Sequence, residues 1–232
     1  MTHATHHACG GDHPHGPGAA SYPDFAWDDL YTGDGSDTAD PDPALLAPAD
    51  HLPPGRALDL GCGAGGNALA LAERGWRVTA VDLAPRAIAS TRASACARGL
   101  DGRIELAVAD SASWQPESAY GFALSSYALP PRGPARTATL ATLAAALAPG
   151  GVLAVGEWDE EACDWGDPGD LATLAELTEA LTRLGLDIVR AERQRVPRLQ
   201  HPSEDHAVIV TARKPHDTLD LAHRPITGRP AT

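Results

Sequence analysis

Positive charge is scarce in this sequence. Eighteen lysines and arginines, with Lys214 the only lysine, face 31 aspartates and glutamates, for a net charge of -13 at pH 7. Such a field repels a phosphate backbone, and no basic patch with interleaved aromatics offsets it, so no nucleic acid is expected as a partner. Cysteine is sparse as well. Cys9, Cys62, Cys96 and Cys163 are widely spaced and form no CxxC pair, which argues against a disulfide framework or a zinc knuckle and suits a reducing compartment. No apolar run follows Met1, so no secretory signal is expected and the cytoplasm is the expected location. Residues 137–156 are uncharged and long enough to cross a membrane by count. Pro149-Gly150-Gly151 divides them, however, so they read as helix, turn and strand, and no membrane partner is expected. There is no internal repeat and no nucleophile–base triad.

What is present is a glycine turn with an acid in front of it, Asp59-Leu60-Gly61-Cys62-Gly63-Ala64-Gly65-Gly66. The apolar run Arg56 to Leu60 reads as a buried strand and Asn67 to Arg74 as a helix. Glycines between the two let the backbone approach a ligand closely, at the positive end of the helix dipole. A second apolar run, Trp76 to Val81, ends in Asp82, which would offer a carboxylate to a ribose. Gly61-x-Gly63-x-x-Gly66 also fits a dinucleotide fingerprint, which keeps a nicotinamide-dependent oxidoreductase open. Asp59 decides between the two ligands. It would repel a pyrophosphate but attract the ammonium and sulfonium of S-adenosylmethionine, a term of about 3 kcal/mol at a separation of roughly 5 Å and an effective dielectric near 20.

From Arg56 onward strands and helices alternate, which predicts an α/β fold with a parallel sheet covered on both faces. Pro85 to Arg98 reads as a helix stopped by Gly99, and Ile104 to Ala109 and Phe122 to Tyr127 as the third and fourth strands. Ala135 to Leu147 is the next helix and Val152 to Glu157 the fifth strand. Leu171 to Leu184 is the last helix. Asp187 to Val196 and His206 to Arg213 then read as a closing hairpin. Tyr22 to Tyr31 and Ala44 to His51 are expected short helices. Residues 1–20 are expected to be a disordered His-rich tail, residues 21–214 the folded domain, and residues 215–232 a second disordered tail.

Asp59-x-Gly61-x-Gly63-x-Gly65 followed by Val81-Asp82 resembles the first two motifs of the class I S-adenosylmethionine-dependent methyltransferases. Trp27-Asp28-Asp29-Leu30-Tyr31 with Pro41-Asp42-Pro43, Ala109-Asp110-Ser111-Ala112-Ser113-Trp114, and Leu147-Ala148-Pro149-Gly150-Gly151 resemble its small-molecule branch, that of tellurite-resistance and thiopurine methyltransferases. The resemblance implies a Rossmann-like sheet of seven strands, mostly parallel with an antiparallel last strand, and helices on both faces. It implies that Asp59 with the turn through Gly61, Gly63 and Gly65 holds the methionine end of the cofactor. Asp82 would hold the ribose hydroxyls, Leu83 would cover the adenine, Asp110 and the Ser111 N–H would meet the adenine edge, and Ser126 would lie near the methionine amine. Where the family opens its fourth strand with Phe-Asp, this chain has Phe122-Ala123, which bears on local strand packing.

The implied reaction is in-line methyl transfer to a small-molecule acceptor: a thiol, a metalloid oxyanion or a small metabolite. A non-catalytic module that senses S-adenosylmethionine or a metal is the other reading of the same motifs. No catalytic residue can be assigned. At the rim of the site stand Tyr127 and Glu157-Trp158-Asp159-Glu160-Glu161, which either select a cationic or metalloid acceptor or form a solvated loop. Trp27 and Tyr31 read as an aromatic lid or as a helix anchor. His201, His206 and Cys163 read as a base or thiol near the acceptor, or as bystanders. In the tail, His3, His6, His7, Cys9, His13 and His15 either bind a borderline metal weakly or are simply solvated.

Overall fold

A computed structural model of the chain describes residues 26–34, 36–37, 39–163, 169–196 and 205–216. Its centre is a seven-stranded sheet in the order β3-β2-β1-β4-β5-β7-β6. The strands are β1 (Arg56–Leu60), β2 (Arg77–Asp82), β3 (Ile104–Val108), β4 (Tyr120–Ser126), β5 (Leu147–Trp158), β6 (Asp187–Val196) and β7 (Asp205–Arg213). β1 to β5 pair in parallel, and β7 runs antiparallel to both β5 and β6. The predicted sheet, mostly parallel with an antiparallel closing strand, is therefore what forms.

Central parallel strands are covered on both faces, which is why they read as unbroken apolar runs rather than alternating ones. On one face β1, β2, β4 and β5 pack against α1 (Pro43–Leu46), α2 (Gly66–Glu73) and α3 (Pro85–Ala97), through Leu45, Leu71, Ile88 and Phe122 among others. On the other they meet α4 (Pro134–Ala146) and α5 (Leu174–Arg183), through Leu58, Leu143, Leu153 and Leu177. Phe122 and Ala123 are both fully buried and pair with Ala57 and Leu58 on one side and Val152 and Leu153 on the other. The missing acid at position 123 thus leaves the strand well packed. No helix among the described residues is long and apolar enough to cross a membrane.

Several boundaries differ from those the sequence predicts: β4 begins at Tyr120 rather than Phe122, the last helix begins at Leu174 rather than Leu171, and other ends move by a residue. β5 begins at Leu147, not Val152, because Leu147 pairs with Tyr120 and the register resumes at Phe122–Val152. The Pro149-Gly150-Gly151 turn, with Gly150 at φ +77°, is thus an irregularity within one strand. The segment predicted as a single helix from Ala44 to His51 is α1 followed by a 3-10 helix, Ala47–His51. Pro48 has no N–H to continue the α-helical ladder. Of the expected helix Tyr22 to Tyr31, residues up to 25 lie outside the described region, and Trp27–Leu30 form a 3-10 turn.

Candidate functional site

In an open parallel sheet a ligand sits beyond the carboxyl ends of the strands, where the order reverses. Here that point lies between β1 and β4, and the glycine turn leaves β1 at this place. Gly61, Gly63 and Gly65 have φ of +83°, +52° and +85°. A Cβ at Gly65 would stand 2.6 Å from Thr91 Cγ2, so α3 presses on the turn and leaves no room for a side chain. Thr91 Oγ1 donates to the Gly63 carbonyl at 2.9 Å and fixes the turn from the same side.

Asp59 ends 1 % exposed, and neither carboxylate oxygen has a hydrogen-bond partner. Burial first and the charge of Asp82 second push its carboxyl from 3.8 up to about 7. The Ala68 N–H in the first turn of α2 pulls the other way without reaching hydrogen-bond geometry. A buried, unpaired acid beside a second acid is costly unless a cation joins them. Asp82 is better served. Its oxygens accept from the Gly63 N–H at 2.8 Å and the Ala84 N–H at 2.9 Å. Each oxygen keeps a further lone pair that could accept from a ligand hydroxyl. Burial still raises its pKa above the ordinary value.

The other sequence-predicted residues stand at or just beyond the carboxyl ends of β2, β3 and β4. Leu83 is 42 % exposed, a large apolar side chain left open just past Asp82. Asp110 follows β3, and its side chain accepts from the Ala112 N–H at 2.9 Å. Ser111 Oγ shares a 3.0 Å hydrogen bond with Thr139 Oγ1. Ser126 ends β4, half-buried.

The N-terminal segment lies over the site as a strap. Asp28 accepts the Arg86 N–H at 2.6 Å, and Asp28 and Asp29 pair with the Arg86 guanidinium at 3.4 and 3.3 Å, which docks the strap on α3. Asp37 accepts from Ser90 Oγ and from the Thr32 and Gly33 N–H groups. The Tyr31 hydroxyl stands 3.0 Å from where a Gly63 Cβ would be. Tyr31 therefore covers the turn. Asp42 caps α1 through the Ala44 N–H at 2.8 Å, and its own N–H reaches Asn67 Oδ1, at the start of α2, at 2.8 Å.

On the acceptor side sequence reasoning saw single residues and missed their connections. Tyr127 is the only described non-glycine residue at positive φ, +52°. Such strain persists where surrounding contacts over-determine it, and here they do. Its N–H bonds the Gly156 carbonyl at 2.9 Å, its ring stacks on Trp158 with centroids 4.5 Å apart, and its hydroxyl donates to Asp42 Oδ2 at 3.2 Å. Burial, then Asp42 and Glu157, raise the phenol well above its usual pKa, so it stays a donor.

Glu157, 3 % exposed, accepts the Leu129 N–H at 2.8 Å. Burial pushes it up to about 7, against the pull of that N–H and of Arg136. Arg136, 4 % exposed, donates to the carbonyls of Pro130, Gly169, Asp170 and Leu171 at 2.7–3.1 Å. Arg136 braces the loop after β4 against the loop before α5, and Glu157 ties the first of these to β5.

The acidic rim is tethered by two arginines. Arg132 holds Glu160 and Glu176, and Arg193 holds Asp159 and Glu161. Both arginines lie far enough away in sequence to escape local reading. Cys163 Sγ lies 3.3 Å from the His206 carbonyl. His206 is half-buried on β7, with Nδ1 unpartnered, rather than exposed on a loop. His201 lies outside the described residues, as do the tail's histidines and Cys9. Among the described residues no group of three or more His, Cys, Asp or Glu could hold a metal. A cavity of about 110 Å³ between Arg56, Arg77, Arg103 and Glu105 lies at the amino ends of β1 and β2, away from this site.

Residues 57–151 match the family described as a methyltransferase domain. The chain is 37 % identical over 115 residues to trans-aconitate 2-methyltransferase of Streptomyces avermitilis, which covers 47 % of this chain and 42 % of that protein. It is 43 % identical over 51 residues to ribosomal RNA small subunit methyltransferase C of Alcanivorax borkumensis, 22 % of this chain and 16 % of that one. The chain thus spans less than half the length of these curated relatives. A solved structure of Burkholderia thailandensis 1,6-didemethyltoxoflavin-N1-methyltransferase, with bound 1,6-didemethyltoxoflavin and S-adenosylhomocysteine, superposes with a TM-score of 0.58. It is 26 % identical, over 75 % of this chain and 77 % of that one.

Proposed function

We propose that this chain, which carries a class I S-adenosylmethionine-dependent methyltransferase domain, moves a methyl group from that cofactor to a small-molecule acceptor. The proposed domain spans residues 21–214 of the sequence. The observation that carries the reading is Asp59, a buried acid without a hydrogen-bond partner, beside a turn in which a glycine Cβ would collide. An ammonium or sulfonium satisfies that acid, whereas a pyrophosphate would meet two carboxylates. When bound, the cofactor supplies an already activated methyl group, so the protein's task is alignment and exclusion of water.

Asp59 and the turn would hold the methionine end, with Ser126 nearby, and Asp82 the ribose. Leu83, Asp110 and Ser111 would surround the adenine, and the strap would close over them. A small acceptor rather than a nucleic acid is supported by the net charge of -13 and by the engagement of Arg132, Arg136 and Arg193 within the protein.

The test is the affinity of Asp82→Asn for S-adenosylhomocysteine, measured by calorimetry. Replacing a charged acceptor by a neutral amide is expected to weaken binding by about ten- to a hundredfold. It should lower the thermal midpoint of the ligand-free protein as well, because an amide nitrogen cannot accept one of the two backbone N–H groups that the carboxylate holds. Unchanged affinity would place the ribose elsewhere and refute the assignment.

A further inference from the structure

We infer that the acceptor is a neutral, planar nitrogen nucleophile, an aromatic amine or nitrogen heterocycle, bound against the Tyr127–Trp158 pair. The inference rests on the methyl-transfer reading above and narrows its acceptor. The first ground is shape. Tyr127 follows β4 and Trp158 ends β5, its neighbour, beside the switch point, and their rings are stacked at 4.5 Å and 28°. Backbone strain at Tyr127, its bond to Gly156 and its hydroxyl on Asp42 hold the pair in place. Fixed aromatic faces at low entropy cost select flat partners.

The second ground is charge. An anionic acceptor needs a cation to replace its water. The arginines described at this rim are taken, Arg132 and Arg193 by carboxylates and Arg136 by four carbonyls. Arg132 and Arg193 each meet two carboxylates, so both clusters stay net negative. Asp42 adds a carboxylate directly on the Tyr127 hydroxyl. A carboxylate or oxyanion would approach against that field, and a neutral nitrogen would not.

The chemistry agrees. The nitrogen lone pair forms the new N–C bond while the methyl's bond to sulfur breaks, its electron pair staying on sulfur. Positive charge passes from sulfur to nitrogen and is never annihilated, so an acidic surrounding suits the reaction from start to finish. An amine or N–H heterocycle then gives its proton to water, and a pyridine-type nitrogen leaves as the cation.

The experiment uses the full chain and two readouts. Benzimidazole, isoquinoline and aniline, with trans-aconitate and tellurite as anionic controls, are titrated into the S-adenosylhomocysteine complex while tryptophan fluorescence is followed. The same compounds are then assayed with S-adenosylmethionine for S-adenosylhomocysteine formation. The ring compounds are expected to quench and to be turned over, with kcat/KM at least about tenfold above either anion. Tyr127→Leu and Trp158→Leu should each raise the KM for a ring compound about tenfold, with S-adenosylhomocysteine affinity held within about twofold, while Tyr127→Phe keeps most of the ring binding. Turnover confined to the anions, or no ring compound bound by a protein that does bind S-adenosylhomocysteine, overturns the inference. Failure to bind S-adenosylhomocysteine at all would instead overturn the reading beneath it.

Discussion

Replacing Asp59 by asparagine is expected to stabilise the ligand-free protein and, in the same variant, to weaken S-adenosylhomocysteine binding by about a hundredfold or more. The two effects have one cause. Asp59 is buried beside Asp82 with no hydrogen-bond partner, and its carboxyl is pushed from 3.8 up to about 7. A group that holds its proton more tightly when folded contributes fully below its unfolded value, and that contribution is lost as pH rises through the folded one. The ligand-free protein should therefore lose stability between about pH 4 and pH 7, by at most about 4 kcal/mol from this group. Glu157, pushed from 4.5 up to about 7, slopes the same way.

Asparagine removes the ionisation at position 59 and recovers part of that loss. At pH 8 the thermal midpoint should rise by roughly 3–8 °C, and the fall between pH 5 and pH 8 should flatten without vanishing. Removing one partner of a buried charge pair costs about 2–5 kcal/mol of binding, which sets the expected loss of affinity. Scanning calorimetry at the two pH values, with and without S-adenosylhomocysteine, checks all of this. A variant less stable than the parent, with affinity intact, would make Asp59 a structural residue of the turn.

Gly61→Ala is expected to cost about 3 kcal/mol of folding stability, enough to consume a large part of what a domain of this size has. Gly61 sits at φ +83°, and an added Cβ would lie within 3.0 Å of the Cβ of Ala128. Ala128 has no side-chain torsion with which to move aside, so the backbone after β4 must shift, and strain adds to overpacking. Gly63→Ala makes the contrast. Its φ is +52° and its nearest neighbour is the hydroxyl of Tyr31 at 3.0 Å, the far end of a long side chain rather than a backbone-fixed Cβ. That substitution should cost only about 1 kcal/mol. Urea midpoints of the two variants test the difference, and equal losses would show that the Ala128 contact is unimportant.

What was legible in the sequence was local. An acid two residues before a glycine turn, and a second acid closing the next apolar run, announce a strand tip, a turn and a ligand of positive charge. Alternation of strands and helices gave the layers, and the polar break before His206 gave the hairpin. What was not legible depends on residues distant in sequence. Arg193 holds Asp159 and Glu161 across the sheet edge, and Tyr127 reaches Asp42 over 85 positions. The left-handed backbone of Tyr127 has no compositional signal, because a tyrosine there is unfavourable and is imposed by its neighbours. Proline and glycine within 149–151 looked like a strand boundary. Pairing of Leu147 with Tyr120 absorbs them into β5 instead.

The measurement that bears most directly on the central claim is calorimetric titration of the full chain with S-adenosylhomocysteine, with NADH run in parallel. Stoichiometric binding of S-adenosylhomocysteine in the micromolar range, with no heat from NADH, is the predicted result. Binding of NADH, or no binding of S-adenosylhomocysteine, would contradict the account, because the buried acid in front of the glycine turn would then have no cation to meet.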